Sequence, residues 1–184
     1  MSQLHLDDQE LLRQFKDPSS KERGFTGIIK KYQEKLYWHI RRMVIEHEDA
    51  NDVLQNMFIK VWNGLDKFRE DSQLYTWLYR IATNESLSFI EQAKRRSAIS
   101  MTQVEEGLSN KVIADKNFDA KKLEWKLQLA IQQLPEKQRI VFNLRYFDEM
   151  PYDEMSKVLE TSEGALKASY HHAAKKIEEY IKNN

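Results

Sequence analysis

The chain has 184 residues, no cysteine, and 29 basic side chains against 29 acidic ones. That length holds one ordinary domain or two small ones, and the missing cysteines exclude a disulfide framework, a thiolate zinc site and a catalytic thiol. With 41% hydrophobic and 32% charged residues the chain reads as core-forming and helix-rich, and its apolar runs fall far short of the ~18 residues that span a bilayer.

Hydrophobic residues recur at the helical period of 3.6 rather than the strand period of 2. A short first helix is expected after Asp7, which can cap it with Glu10 as reciprocal partner; Leu11, Leu12 and Phe15 form its apolar stripe. Asp17-Pro18-Ser19-Ser20 breaks the chain. A second helix spans 22–43, with Phe25, Ile28, Ile29, Tyr32, Leu36, Ile40 and Met43 on one face. A third covers 48–62, and Gly64 lies just past it, where a helix terminus favours glycine. A connection over 65–72 leads to a fourth helix, 74–96, whose spine is Trp77, Leu78, Ile81, Leu87 and Ile90.

Residues 97–120 are polar and weakly periodic, with four acids against two lysines. Such a stretch is longer than most connections inside a compact domain and reads as a linker. Four helices follow. The first, 123–133, is followed by Pro135, which starts the next, running to 147 with Ile140, Val141, Leu144 and Tyr146 in or near the core. The third runs 151–159 and the last 162–181. The expected fold is all-α: two small helical domains, 1–96 and 121–184, joined by the linker 97–120.

From Pro151 the spacing gives a short helix, a turn of about three residues and a longer helix, a helix-turn-helix. Met155, Val158, Leu159, Leu166, Tyr170 and Ala173 point inward, with small Ser156 where the two helices meet. Glu163, Lys167, Ser169, His171 and Lys175 point outward. Such a helix sets its N-terminal residues against base edges in a major groove. The same pattern also suits an ordinary helical hairpin with a solvated face. Glu160 sits in the turn, where left-handed backbone is often needed.

Asp49, Asp52, Gln55 and Asn56 fall on neighbouring positions of the third helix and form either a solvated surface or a face for a basic or amide-rich partner helix. The fourth helix opens with Tyr75 and Trp77 and ends in Lys94, Arg95 and Arg96. Aromatics near arginines suit unstacked bases; Trp77 also fits the core, and the basic end also complements a helix dipole. No phosphate-cradling glycine loop or HxxxH spacing occurs, and none of the plentiful carboxylates shows a persuasive pairing for acid–base chemistry. His171 and His172 stand ~100° apart around a helix and cannot share a metal. No enzymatic role and no cofactor are expected.

Together these segments resemble the extracytoplasmic-function (ECF) group of bacterial sigma factors over nearly the whole chain. Residues 49–62, DANDVLQNMFIKVW, are similar to the segment that grips the clamp helices of RNA polymerase, with Asp52, Gln55 and Phe58 at matching positions. Residues 68–96 resemble the part that opens the minus-ten element and holds its non-template strand. Trp77, Leu78, Ile81, Ala82 and Asn84 match there. The stretch from LPEKQRIVF onward resembles the domain whose helix-turn-helix reads the minus-thirty-five element.

The resemblance implies a cytoplasmic transcription initiation factor that docks on the β′ clamp and β flap of core polymerase. Its core contacts would be Asp49, Asp52, Gln55, Asn56 and Phe58. Arg69, Tyr75, Trp77, Arg80, Asn84, Lys94, Arg95 and Arg96 would meet the minus-ten strand. Ser162, Glu163, Ala165, Lys167, Ser169, His171 and Lys175 would meet the minus-thirty-five duplex. An anti-sigma factor or other recruiting protein is the further partner implied. The recognition helix departs from the group in having Ala168, Ser169, His172 and Ala174 where arginines are common. Fewer phosphates are then neutralised, and weak DNA binding by the chain alone is expected. Two other readings are an autonomous dimeric helix-turn-helix regulator, which leaves the acidic third-helix face unexplained, and a helical adaptor that binds only proteins, which the zero net charge suits.

Overall fold

The computed structural model describes residues 7–97 and 122–183, so most of the expected linker, 98–120, lies outside the described residues. The order is α1 (Asp8–Lys16), α2 (Lys21–Val44), α3 (His47–Gly64), a 3-10 turn (Leu65–Lys67), α4 (Leu74–Ser97), α5 (Lys122–Gln132), α6 (Glu136–Tyr146), α7 (Tyr152–Leu159) and α8 (Glu163–Asn183). Among the described residues there is no strand. The all-α expectation holds.

In the first unit α2, α3 and α4 bury Ile28, Leu36, Ile40, Met57, Val61 and Leu78 against one another, all fully enclosed. Helix α1 lies across α2 and inserts Leu11 and Phe15. An aromatic wedge closes that end: the Trp62 ring stands edge-on to Phe15 at 5.3 Å and to Phe25 at 5.0 Å. Edge-to-face pairs of this kind add to simple area burial. Tyr32 donates its hydroxyl to Asp8 at 2.7 Å, fastening α1 at its start. Burial, followed by that bonded carboxylate, pushes the Tyr32 phenol far above its ordinary value, so it remains a donor.

Four local expectations are corrected. Asp7 precedes α1 without a side-chain cap, because Glu10 is drawn forward to Arg13 and Gln14 instead of back to the cap. Gly64 is the last residue of α3 with φ −104°, not a left-handed terminus. What it provides is room, since a Cβ there would touch the Trp77 ring at 3.4 Å.

The buried face of α4 is Leu74, Leu78, Tyr79, Ala82, Thr83 and Ser86, while Trp77, Ile81, Leu87 and Ile90 flank it half-buried. Small and hydroxylated residues let α4 approach α2 closely. Their hydroxyls are satisfied locally, Ser86 donating to the Ala82 carbonyl at 2.9 Å and Thr83 bonding His39 at 2.9 Å. Buried polar groups with partners carry little penalty. Finally Tyr146, expected near the core, is 50% exposed.

The second unit packs α5, α6 and α8 around Ile131, Leu134, Phe142, Ala173 and Ile177. Its helix-turn-helix turns at Glu160, which takes the left-handed conformation (φ 52°, ψ 40°). Ser162 then caps α8, accepting the Ala165 amide at 3.3 Å. Past the end of α6 the chain turns at a second left-handed residue, Glu149 (φ 51°), and the Met150 amide returns to the Leu144 carbonyl at 3.0 Å. That turn sends Met150 into the core and leaves Asp148 facing α2. The two units share a continuous apolar cluster, in which Leu144, Met150, Met155 and Val158 join Leu74 and Leu78.

Candidate nucleic-acid interface

On α3, Asp52, Gln55 and Asn56 are exposed and Asp49 half-buried. Residues three, four and seven apart share one helix face, so the row continues to Ile59. That residue is 54% exposed and gives the face an apolar centre. Phe58 is placed elsewhere: its ring stands edge-on to Phe25 at 6.3 Å, bracing the helix from within. Sequence reasoning missed Ile59 because the motif match drew attention to Phe58. The signal was its spacing of seven from Asp52.

On α4, positions 77, 80 and 84 form a second row by the same periodicity. The Trp77 ring rests on Phe68 at 5.1 Å, half-buried. Arg80 and Asn84 are exposed, as are Arg69 and Arg96. Arg95 is paired with Glu91 on its own helix. Tyr75 lies on the opposite side, 4.7 Å from Tyr79, so the structure does not bring it into the Trp77 row. Burial first, then Asp148 and Glu154, push the Tyr75 phenol up to about 12, so at neutral pH it can only be the hydroxyl form.

Three of these expected DNA contacts meet carboxylates of the second unit. Arg80 is ion-paired with Glu160, Lys94 with Glu136 at 3.0 Å, and Tyr75 faces Asp148 and Glu154. The Arg80–Glu160 pair is exposed on both sides, and such a pair contributes under about 1 kcal/mol.

On α8, Glu163, Lys167 and His171 recur every four residues along one exposed ridge, with Lys175 continuing it. Ala165 is exposed on the other side of the outward arc and Ser169 is half-buried beside Tyr170. Lys167 reaches back to Glu163 at 3.4 Å. Ser162 serves as the cap and is exposed at the tip.

Away from this ridge, α5, α6 and α8 form an open apolar groove of about 410 Å³ lined by Leu127, Phe142, Tyr146, Tyr170, Ile177 and Ile181. Phe142 lies stacked between Tyr146 at 5.1 Å and Tyr170 at 5.6 Å. Among the described residues no group of three or more acids and histidines could hold a metal ion, and no helix is long and apolar enough to cross a membrane.

Comparison with known proteins shows the family of the chain. The Sigma-70 region 2 family model matches residues 28–96, and the Sigma-70, region 4 model matches residues 124–177. The RNA polymerase sigma-H factor of Pseudomonas aeruginosa is 30% identical over 182 residues, covering 95% of this chain and 93% of its own. The ECF RNA polymerase sigma-E factor of Escherichia coli is 30% identical over 184 residues, covering 96% and 95%.

Two solved structures share the fold. CnrH, in complex with the cytosolic domain of CnrY, superposes with a TM-score of 0.70 at 21% identity over 96% of this chain and 98% of that one. The sigma factor RpoE of Bartonella quintana, in complex with the anti-sigma factor NepR, gives 0.66 at 19% over 86% and 96%.

The family matches define a two-unit helical transcription factor that works with polymerase. The chain belongs to the sigma-70 family, in its extracytoplasmic-function group. It is a transcription initiation factor that directs core RNA polymerase to promoters.

Proposed function

We propose that the work divides between residues 1–96 and 121–184, with 97–120 as the connection that runs between them through the polymerase. The α3 row of Asp52, Gln55, Asn56 and Ile59 meets the polymerase clamp, and Asp49 and Phe58 support it. The α4 row of Trp77, Arg80 and Asn84, with Arg69, Tyr75 and the basic end at Lys94, Arg95 and Arg96, holds the melted non-template strand of the minus-ten element. Helix α8 presents Ser162, Glu163, Ala165, Lys167, Ser169, His171 and Lys175 to the minus-thirty-five duplex. The chain performs no catalysis, takes no cofactor and acts in the cytoplasm beside core polymerase. An anti-sigma factor, of the kind bound by the Bartonella protein, is its regulatory partner.

The observation that carries this reading is the pair of outward rows on α3 and α8, polar ridges that cover no core of their own. Run-off transcription with core polymerase on a promoter library tests it. Core-dependent initiation at a defined start site is the expected result. Sequence-specific DNA binding without core, and no initiation with it, would overturn it.

The apolar groove on α5, α6 and α8 is the surface proposed for the flap. A groove lined by aromatics suits the apolar face of a partner helix. Tyr146 is 50% exposed beside Phe142, so Tyr146→Asp puts a charge where a partner would exclude water. The expected loss is about 2 kcal/mol, roughly thirtyfold in affinity for an isolated flap fragment. Fluorescence anisotropy measures it, and unchanged affinity would place the flap elsewhere.

A further inference from the structure

Between the 3-10 turn and α4 the backbone of residues 68–73 is not helical. Leu65 before it and Leu74 after it are buried anchors. Phe68 rests on the Trp77 ring at 5.1 Å, and the Phe68 amide donates to the Leu65 carbonyl at 3.1 Å. Beyond Phe68, the side chains of Arg69, Glu70, Asp71 and Gln73 are exposed. A segment that buries so little has little of its own to hold it in one conformation. What fixes it has to reach it from another element.

Two lysines do so, Lys16 at the end of α1 and Lys21 at the start of α2. Lys16 donates to Glu70 Oε1 at 2.8 Å, and Lys21 donates to Asp66 Oδ2 at 2.7 Å. The Lys21 ammonium also lies over the Phe15 ring at 4.6 Å and the Trp62 ring at 5.3 Å. The turn between the lysines is itself tied. The Ser19 amide and hydroxyl donate to Asp17 at 2.9 and 2.8 Å, and the Ser20 hydroxyl donates to the Gln14 carbonyl at 2.9 Å. Glu70 takes the left-handed conformation (φ 60°). Glycine suits that backbone better, but glycine has no carboxylate to offer Lys16. Charge adds to geometry. Residues 65–73 carry three acids, Asp66, Glu70 and Asp71, against Lys67 and Arg69. An acidic excess opposes a strand of phosphates, and the two lysines stand against two of those three acids.

We propose that the turn between α1 and α2 is a brace for strand capture. Lys16 and Lys21 are positioning residues: they hold residues 66–70 in place before α4, so that Arg69 and the Trp77 ring meet the melted strand together. This rests on the reading that Arg69 and Trp77 hold the minus-ten strand. Arg69 lies in the chain between the two pinned acids, so fixing Asp66 and Glu70 fixes its backbone. The lysines act through the loop and do not touch the strand.

The test uses the full chain bound to core polymerase. The probe is a fluorescent fork DNA whose single-stranded minus-ten segment is of random sequence. Anisotropy gives its affinity, and sequencing of the retained molecules gives the base preference. Lys16→Met and Glu70→Gln remove opposite charges. Acting through charge alone, the first would weaken binding and the second would strengthen it. A brace broken from either side gives one result twice: binding about threefold weaker, the size an exposed pair supplies, and a flatter base preference. The double variant should be no worse than either single one, because the pair is already gone. The exchanged pair, Lys16→Glu with Glu70→Lys, should restore both readouts. Lys21→Met, which keeps an apolar stem for the Phe15 and Trp62 rings, should act like Lys16→Met.

Lys16 and Glu70 are exposed, so melting temperature and recovery with core in a pull-down should stay as they are in the unaltered chain. Opposite signs for Lys16→Met and Glu70→Gln would overturn the brace. So would additive losses, an exchanged pair that stays weak, or variants that select the same bases as sharply as before. An unaltered chain that selects no bases from the random pool would instead overturn the strand-binding reading, and the brace with it.

Discussion

Asp52→Arg combined with Gln55→Ala is expected to abolish recovery of the chain with core RNA polymerase in a pull-down, with its stability unchanged. The two side chains are exposed on α3, while the same helix buries Val53, Met57 and Val61 on its other side. Substitutions on the outward row therefore leave the core alone, and surface changes of this kind usually move stability by less than about 0.5 kcal/mol. At an interface the effect is different. Reversing a charge costs its attraction and adds repulsion, and losing an amide leaves its partner unpaired. Two central contacts removed together amount to about 4 kcal/mol, near a thousandfold in affinity. A melting curve that matches the unaltered chain, alongside an empty pull-down, is the expected outcome. Recovery at full strength would move the clamp contact off α3.

Most of the helices were legible from the sequence, because each is long enough to show its apolar period and is bounded by Pro, Gly or a polar break. What failed to show was which face of α4 goes inward. An apolar count selects Trp77 and Ile81, whereas close helix contact selects Ala82, Thr83 and Ser86, whose hydroxyls are bonded internally. The same limit applied on α3, where Phe58 and Ile59 are adjacent and only the packing of Phe25 decides which of them is exposed. The left-handed turn at Glu160 could be anticipated from the helix-turn-helix spacing. Asp148, Glu154 and Glu136 could not be singled out, since an acid on a short helix looks like solvated surface until its distant partner is known. Their partners lie 42 to 109 positions away.

These long-range pairs also bear on how the charge is distributed. A net charge of zero argues poorly for a protein that meets DNA, since sequence-independent affinity rises with the phosphates neutralised. Arg42, Arg80 and Lys94 each have a carboxylate from the second unit against them. Three cations on α2 and α4 are thus already paired with acids of the second unit.

Gly24→Ala should cost about 2 kcal/mol of stability, read as a lower urea midpoint, while Gly27→Ala should be nearly neutral. Both glycines lie on the face of α2 that α1 crosses. A Cβ on Gly24 would stand 2.5 Å from the Phe15 amide nitrogen and 2.8 Å from the Leu11 carbonyl oxygen. Those are backbone atoms of a helix and cannot step aside. A Cβ on Gly27 would meet only the end of the Leu11 side chain, at 2.4 Å, and a rotamer change relieves it. Overpacking of a rigid contact costs up to about 3 kcal/mol, and alanine returns about 1 kcal/mol through its helix propensity. The difference between the two variants isolates the clash, since propensity is common to both. Displacing α1 also takes Phe15 from Trp62 and Asp8 from Tyr32, so tryptophan fluorescence should shift red in the Gly24 variant before global unfolding. Equal midpoints for the two variants would refute the close crossing. Because α1 and both glycines precede residue 28, where the family match begins, this result tests the packing of this chain on its own terms.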